Sequence, residues 1–400
     1  MSAEMTTTTQ APVTVPGSTA HTDGAWDGVP VQTRSERPRS YEPASFGAPT
    51  GREVNWKHTP LSRIASLLQD VDGSATAVST TVSGPVAASM LAVGQAPRGD
   101  VFIPEDLPAA ISWQRSPEAL ALIVPANAEL DEPTVVTVSG SDEALTAHQH
   151  IVIEAKPHSK ATIVLRHEGA ANLGQNVEII VRDGAQLTVV SLQRWEDSAA
   201  HVAAHQARVD RDAVLTHVVV SLGGGVVRVN PSIDLAGSGA QGKVFGLSFA
   251  DSGQHLESQV YVHHRGPHTT ADVLYKGALQ GESARSVWIG DVLIGREAVG
   301  TDSYEANRNL VLTDGARADS IPNLEIETGD IAGAGHASAT GRFDDEQLFY
   351  LQARGIPEEE ARRLVVLGFL SDIIQRLGVP DLEAELTAAV VAELEQGAAA

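Results

Sequence analysis

Residues 182–222 read RDGAQLTVVSLQRWEDSAAHVAAHQARVDRDAVLTHVVVSL, and one device occurs there twice. A short turn ends in alanine, Ala185 or Ala213, and a strand-length run rich in Val, Leu and Thr follows. Working outward, the device recurs as HSKAT, GSGAQ, HTTAD and TDGAR, with Ala161, Ala240, Ala271 and Ala316. The intervals from Ala161 to Ala271 are 24, 28, 27 and 31 residues; the last is 45, and Ala284 of GESARS falls inside it off the beat. Steps of that size suit one coil of a β-solenoid carrying two or three short strands.

The runs TVVTVSG, HIVIEA, ATIVLRH, VEIIVRD, KVFGLSFA, SQVYVHH, SVWIGDVLIG and RNLVLT extend this texture from residue 126 to about 340. Turn residues bound them and no helix-length periodic segment interrupts them, which argues against a doubly wound sheet. A β-sandwich is the competing architecture. Asn-Gly hairpin signals are missing and the spacing is long, so the solenoid is preferred. The fold class is therefore mainly β, a β-solenoid with α-helical N- and C-terminal regions.

The flanks differ. Residues 1–50 are rich in Thr, Pro, Ser, Ala and Gly without apolar periodicity and read as a disordered tail. Residues 51–125 read as a helical or mixed region opened by TPLSRIASLLQDV, where Thr59 caps, Pro60 takes the first helical position, and Leu61, Ile64, Leu67 and Leu68 form a stripe. Residues 341–400 read as a helical domain. Asp344 caps its first helix with Gln347 three residues on, and the second runs from Pro357 to Gly378. Its expected stripe is Leu364, Val365, Phe369, Ile373, Ile374 and Leu377; the third helix places Leu382, Leu386, Val390 and Leu394 at four-residue steps. So much apolar surface implies contact with another protein.

Apolar residues make up 42% of the 400 but aromatics only 4%, so the core must be Val, Leu, Ile and Ala. Against 28 basic residues stand 51 acidic ones, a net charge of −23, which argues against nucleic acid or an anionic membrane as partner. There is no cysteine, hence no disulfide, thiolate nucleophile or thiolate metal ligand. No secretory leader and no run long enough to span a bilayer is evident, and a cytoplasmic protein is expected.

Sites are few. GSGAQGKV (237–244) imitates a phosphate loop through Gly237, Gly239, Gly242 and Lys243, but Val244 stands where a hydroxyl is needed and a strand pattern follows, not a helix. It reads as a turn between coils. His201 and His205 of HVAAH, and His263, His264 and His268 of YVHHRGPH, read as surface or turn histidines. His336 lies alone among small residues in IAGAGHASATG (331–341), read as a loop; small neighbours permit close approach by another chain, and an imidazole can ligate iron or zinc.

The segment SIPNLEIETGDIAGAGHASATGRFDDEQLFYLQARGI (320–356) resembles the C-terminal signature of the SufB/SufD family of iron–sulfur cluster assembly scaffolds. PTGREVNWKHTPL (49–61) and VHHRGPHTTADVLYKGALQGESARSVWIGDV (262–292) resemble its N-terminal and middle motifs. The length, the PNLEI…H form and the missing cysteine are similar to the SufD branch. The resemblance implies a right-handed parallel β-helix, no catalysis by the chain itself, pairing with a SufB-like paralogue, and binding of the ABC-type ATPase SufC through the C-terminal helices. For that contact the motif FYLQARGIP supplies Phe349, Tyr350, Arg354, Gly355 and Pro357. The resemblance also implies that His336 is a ligand of the nascent cluster at the partner interface, with no tightly bound cofactor in the isolated chain and a transient iron–sulfur cluster in the complex. The family often has cysteine two residues before this histidine; here Ala334 stands there, so any thiolate comes from the partner. Ala337 replaces a usual glycine. The alternatives are a β-solenoid carbohydrate-active enzyme, which needs a carboxylate or basic cluster that the sequence lacks, and a structural homodimer with no metal role.

Overall fold

Runs rich in β-branched residues bury well on a pleated surface, and in the computed structural model, which describes residues 38–343 and 345–399, the runs fall in strands, TVVTVSG and HIVIEA sharing one and ATIVLRH and VEIIVRD another. Two short antiparallel strands, β1 (Val78–Ser83) and β2 (Ala88–Ala92), and α1 (Leu107–Arg115) precede β3 (Glu118–Val124). Then come β4 (Thr134–Ala155), β5 (Lys160–Val181), β6 (Gln186–Trp195), β7 (Ala200–Val209), β8 (Val214–Ser221), β9 (Val226–Leu235) and β10 (Gln241–Ala250). The series closes with β11 (His255–His264), β12 (Thr270–Leu279), β13 (Arg285–Ile294), β14 (Thr301–Val311), β15 (Arg317–Ile326) and β16 (Ile331–Arg342). Each strand from β7 on pairs in parallel with the strand two places earlier. The result is two facing stacks, β7-β9-β11-β13-β15 and β6-β8-β10-β12-β14-β16, joined through the long β5: a β-solenoid of about 8 turns.

The register corrects the repeat. Gln186, Val214, Gln241, Thr270 and Asp302 stack, so the residues before them, Ala185, Ala213, Ala240, Thr269 and Thr301, share one corner of the coil. Ala161 and Ala271 sit inside strands, facing Leu187 and Gly242. Ala284 and Ala316 precede the stacked pair Arg285 and Arg317 and belong to the opposite corner, which is why the interval to Ala316 broke the period. At the Thr269 and Thr301 corners a threonine hydroxyl donates to a turn carbonyl, of Gly266 or Ala298, and replaces the alanine without losing the turn.

Inward-facing residues form columns. One runs Ile163, Val189, His217, Val244, Val273, Glu305 and His336, rung by rung. Most of the interior is Val, Leu, Ile and Ala, as the composition requires. The outer face of the even stack is covered by α3 (Glu358–Gln375) and α4 (Pro380–Ala399), which follow α2 (Asp345–Ala353). Val218, Val220, Phe245, Leu247 and Leu274 meet Val366, Leu370, Ile373, Leu377, Leu386 and Val390 there. The stripe of α3 is as expected in its second half, where Ile373, Ile374 and Leu377 are buried; in its first half Leu364 is exposed and Val366 and Leu370 are buried in its place. The stripe of α4 is as expected through Val390.

Two N-terminal expectations are corrected. Residues 38–50 pack instead of trailing: Tyr41 donates to the Phe102 carbonyl and packs its ring, tilted, against Trp113, and Ser40 N–H donates to the Pro104 carbonyl. Residues 1–37 lie outside the described residues, as does the Asp344 cap. Leu61–Leu68 is a kinked 3-10 helix, not an α-helix, and Thr59 does not cap it; its hydroxyl donates to buried Glu257 at 2.8 Å. The stripe still buries Ile64 and Leu67, with Trp56, against Ala200, Val202 and Val226.

Candidate functional site

His336 is not in a loop. It lies on β16, the last strand of the even stack, paired with β14 alone. The segment is a strand because its small residues alternate: Ala334, His336, Ser338 and Thr340 stack inward over Ser303, Glu305, Asn307 and Asn309. Gly333 and Gly335 lie on the other face, under the Tyr304 ring; a Cβ at Gly335 would come within 3.1 Å of it. The glycines therefore seat Tyr304. Beyond β16 no strand follows among the described residues, so its outer edge presents unpaired backbone N–H and C=O groups. The facing stack ends likewise at β15.

Beneath the half-exposed imidazole lies Glu305, whose side chain is 1% exposed; Oε1 is 4.0 Å from His336 Nδ1. Neither Glu305 oxygen has a hydrogen-bond partner among the described residues. Burial, and then the neighbouring Asp291, push this carboxyl up to about 8. Asp291 itself accepts from Asn323 Nδ2 at 2.8 Å. Asn309 Nδ2 donates to Asn307 Oδ1 at 2.7 Å, so on β14 the inward positions 303, 305, 307 and 309 are all polar, whereas earlier coils mix buried histidine and glutamine with an aliphatic majority. Sequence reasoning missed Glu305. The alternation in DSYEANRN was a signal, but the sequence does not say which set faces inward.

Of the other histidines, His201, His205 and His264 are buried and so corrected, while His263 and His268 are as expected. His201 and His205 are fully buried on β7, four apart and therefore on one strand face. His201 Nδ1 pairs with Gln193 Oε1 at 2.7 Å, and His205 Nδ1 lies 2.9 Å from His217 Nε2. His264 is buried between the Thr269 and Ser303 hydroxyls, His263 is partly exposed, and His268 occupies a turn with φ 57°. Among the described residues no group of three or more His, Asp or Glu side chains is placed to hold a metal ion. The glycine segment 237–244 turns at Gly239 and leads straight into β10, as expected.

At the other candidate surface, Phe349 and Tyr350 project from α2 with exposures of 72% and 56%. The Arg354 guanidinium lies 4.5 Å over the Tyr350 ring, Gly355 takes φ 85°, and Pro357 precedes the first turn of α3. The structure thus brings all five residues together at one exposed helix–helix turn, separate from His336 in the chain but joined to β16 through Phe343, whose N–H donates to the Val311 carbonyl. No helix among the described residues is long and apolar enough to cross a membrane.

Residues 136–369 match the family model for the SUF system FeS cluster assembly SufBD core domain. The chain belongs to the SufB/SufD family. An iron–sulfur cluster assembly SufBD family protein of Mycobacterium tuberculosis is 46% identical over 394 residues, covering 96% of this chain and 97% of the relative. One from Mycobacterium leprae is 45% identical over 366 residues, covering 89% and 93%. Mycobacterium leprae also has a second SufBD family protein, 29% identical over 201 residues, half of this chain and 23% of that protein. Membership places the chain in iron–sulfur cluster assembly, and the parallel β-solenoid is the fold that the resemblance implied.

Proposed function

We propose that the chain is a SufD-like, non-catalytic scaffold subunit that pairs with a SufB-like paralogue through the β16 end of the solenoid. There it offers His336 to a cluster under construction, which is cargo, not a resident cofactor. One observation carries the reading: the half-exposed imidazole closes an inward column at an open sheet edge. An edge strand pairs readily with another chain's backbone. The donor set supports a shared site. The chain has no cysteine, and no three ligating side chains converge among its described residues, so the remaining ligands belong to the partner. The coexistence of two family members in Mycobacterium leprae fits a paralogue partner. The exposed Phe349–Pro357 turn is the docking point for a SufC-type ATPase, since aromatic and arginine side chains anchor interfaces. Nucleotide chemistry belongs to that ATPase, because the glycine segment here leads into a strand and has no helix N-terminus to hold phosphate.

The test is co-expression with the paralogue and the ATPase. The three chains are expected to co-purify, and His336→Ala to lower iron and sulfide content at least fivefold without moving the melting temperature more than a few degrees. Wild-type cluster content in the variant rejects the ligand role; a homodimer that ignores the paralogue rejects the pairing.

A further inference from the structure

We propose that Glu305 is the co-ligand of His336, and that the two form an oxygen–nitrogen site for a ferrous ion or similar divalent first-row cation at the open end of the solenoid. The proposal rests on the reading of His336 above and adds a donor to it.

Three observations carry it. First, Glu305 is buried with both oxygens lacking a hydrogen-bond partner among the described residues, whereas most buried polar groups find one. A carboxyl held this way destabilises the fold unless something arrives to use it. Second, it is aimed at His336: the two are register partners on adjacent strands, face the same side, and approach to 4.0 Å between Oε1 and Nδ1. Third, the head of the side chain has room made for it. A Cβ at Gly290 would collide with Glu305 Oε2 and with the Trp288 indole, so only glycine leaves this space free.

Two ligands held about 2.1 Å from one ion at a right angle stand about 3 Å apart. Rotation of the exposed imidazole closes the difference without moving the backbone. Imidazole with carboxylate suits iron, manganese or zinc, and water completes the shell until partner ligands replace it. The cation therefore binds on oxygen and nitrogen before sulfide or a thiolate is required. Its entry is from the open edge, because His336 is exposed and Glu305 lies directly behind it.

The experiment uses the full chain without partners, under anaerobic conditions, with Co(II) as the optical probe and Fe(II) as competitor. One equivalent of Co(II) should bind and be displaced by Fe(II). Glu305→Gln and His336→Ala should each weaken binding at least tenfold, and the double variant no more than the tighter loss. Glu305→Gln should melt no lower than wild type. Should it unfold, Glu305→Met, which fills similar volume without a donor, takes its place. Wild-type Co(II) affinity in the Glu305 variant overturns the proposal. If His336→Ala still depletes cluster in the complex while the Glu305 variant keeps wild-type affinity and cluster, only the co-ligand falls. If neither variant changes either quantity, the interface reading falls with it.

Discussion

The buried histidines show what a single residue cannot announce. His201 and His205 look like surface or metal-gripping residues when HVAAH is imagined as a helix. On a strand, four-residue spacing means one face, and here that face is the interior. Burial holds His167 and His217 down at about 4 and puts His201 and His205 well below the ordinary imidazole value. The sign follows directly. A histidine depressed in the fold but near 6.5 in the unfolded chain contributes stability above 6.5, and this is lost as pH falls toward 4. For His217 the difference is on the order of 3 kcal/mol by pH 4. Glu305 and Glu393, raised to about 8 and about 7, act oppositely between about 4.5 and those values, so the comparison must be differential. Urea unfolding of wild type and His217→Gln between pH 7 and 4.5 should show a wild-type midpoint that falls more steeply. Parallel curves would mean that His217 is protonated equally in both states. None of these shifts was legible beforehand, because sequence alternation marks faces without saying which one is inside.

At the scale of elements, the strands were legible and the straps that hold them were not. The runs of Val, Ile, Leu and Thr named the strands, and the apolar residues at four-residue steps named α4. The Leu61–Leu68 segment misled because its stripe is real while its cap is not: Thr59 spends its hydroxyl on Glu257. That contact is part of a buried network tying the N-terminal segment to the odd stack. Arg228, 1% exposed, donates to Glu257 at 3.1 Å, to Asp106 at 3.1 Å and to the Asn55 carbonyl at 3.0 Å. Its guanidinium also lies 4.0 Å over the Trp56 ring. Burial alone would raise the Glu257 carboxyl; the His255 hydrogen bond, Arg228 and Gln259 reverse this and hold it at about 2. Arg228→Ala therefore removes one cation and strands a buried anion, a change that costs about 3–5 kcal/mol. Denaturant unfolding should show that loss, and protease cleavage should begin between residues 50 and 70. A loss below about 1 kcal/mol would mean that His255 and Thr59 satisfy Glu257 without the arginine.

The whole molecule is a solenoid closed on one flank and open at one end, and the sequence carried the first half of that description better than the second. The period near 28 residues and the shortage of aromatics foretold stacked coils with an aliphatic interior. The end of the stack near residue 340 was legible in the switch from strand runs to helical periodicity, but its last rung was not, because the Ala, Gly and Ser residues of 331–341 read as a loop. The flank is where the C-terminal helices matter. They were expected as a domain offering surface to another protein, yet α3 and α4 lie on the even stack over Val218, Val220, Leu222, Phe245, Leu247, Phe249 and Leu274. Lys276 Nζ donates to the Phe369 carbonyl at 2.9 Å and pairs with Asp372, and Arg166 pairs with Glu385, so the seam is pinned at both helices. A chain ending at Phe343 would uncover this apolar face at once. Fully burying each such side chain is worth about 1.5–3 kcal/mol, and exposed patches of this kind drive association. The shortened chain should bind a hydrophobic dye, self-associate in size-exclusion chromatography despite the acidic surface, and melt well below the full chain. Loss of ATPase binding in that chain would then say nothing about docking. Phe349→Ala with Tyr350→Ala leaves the seam intact and isolates the exposed turn, because both side chains face solvent. A shortened chain that stays monomeric with an unchanged melting temperature would show that the helices are an independent appendage and not a wall of the solenoid.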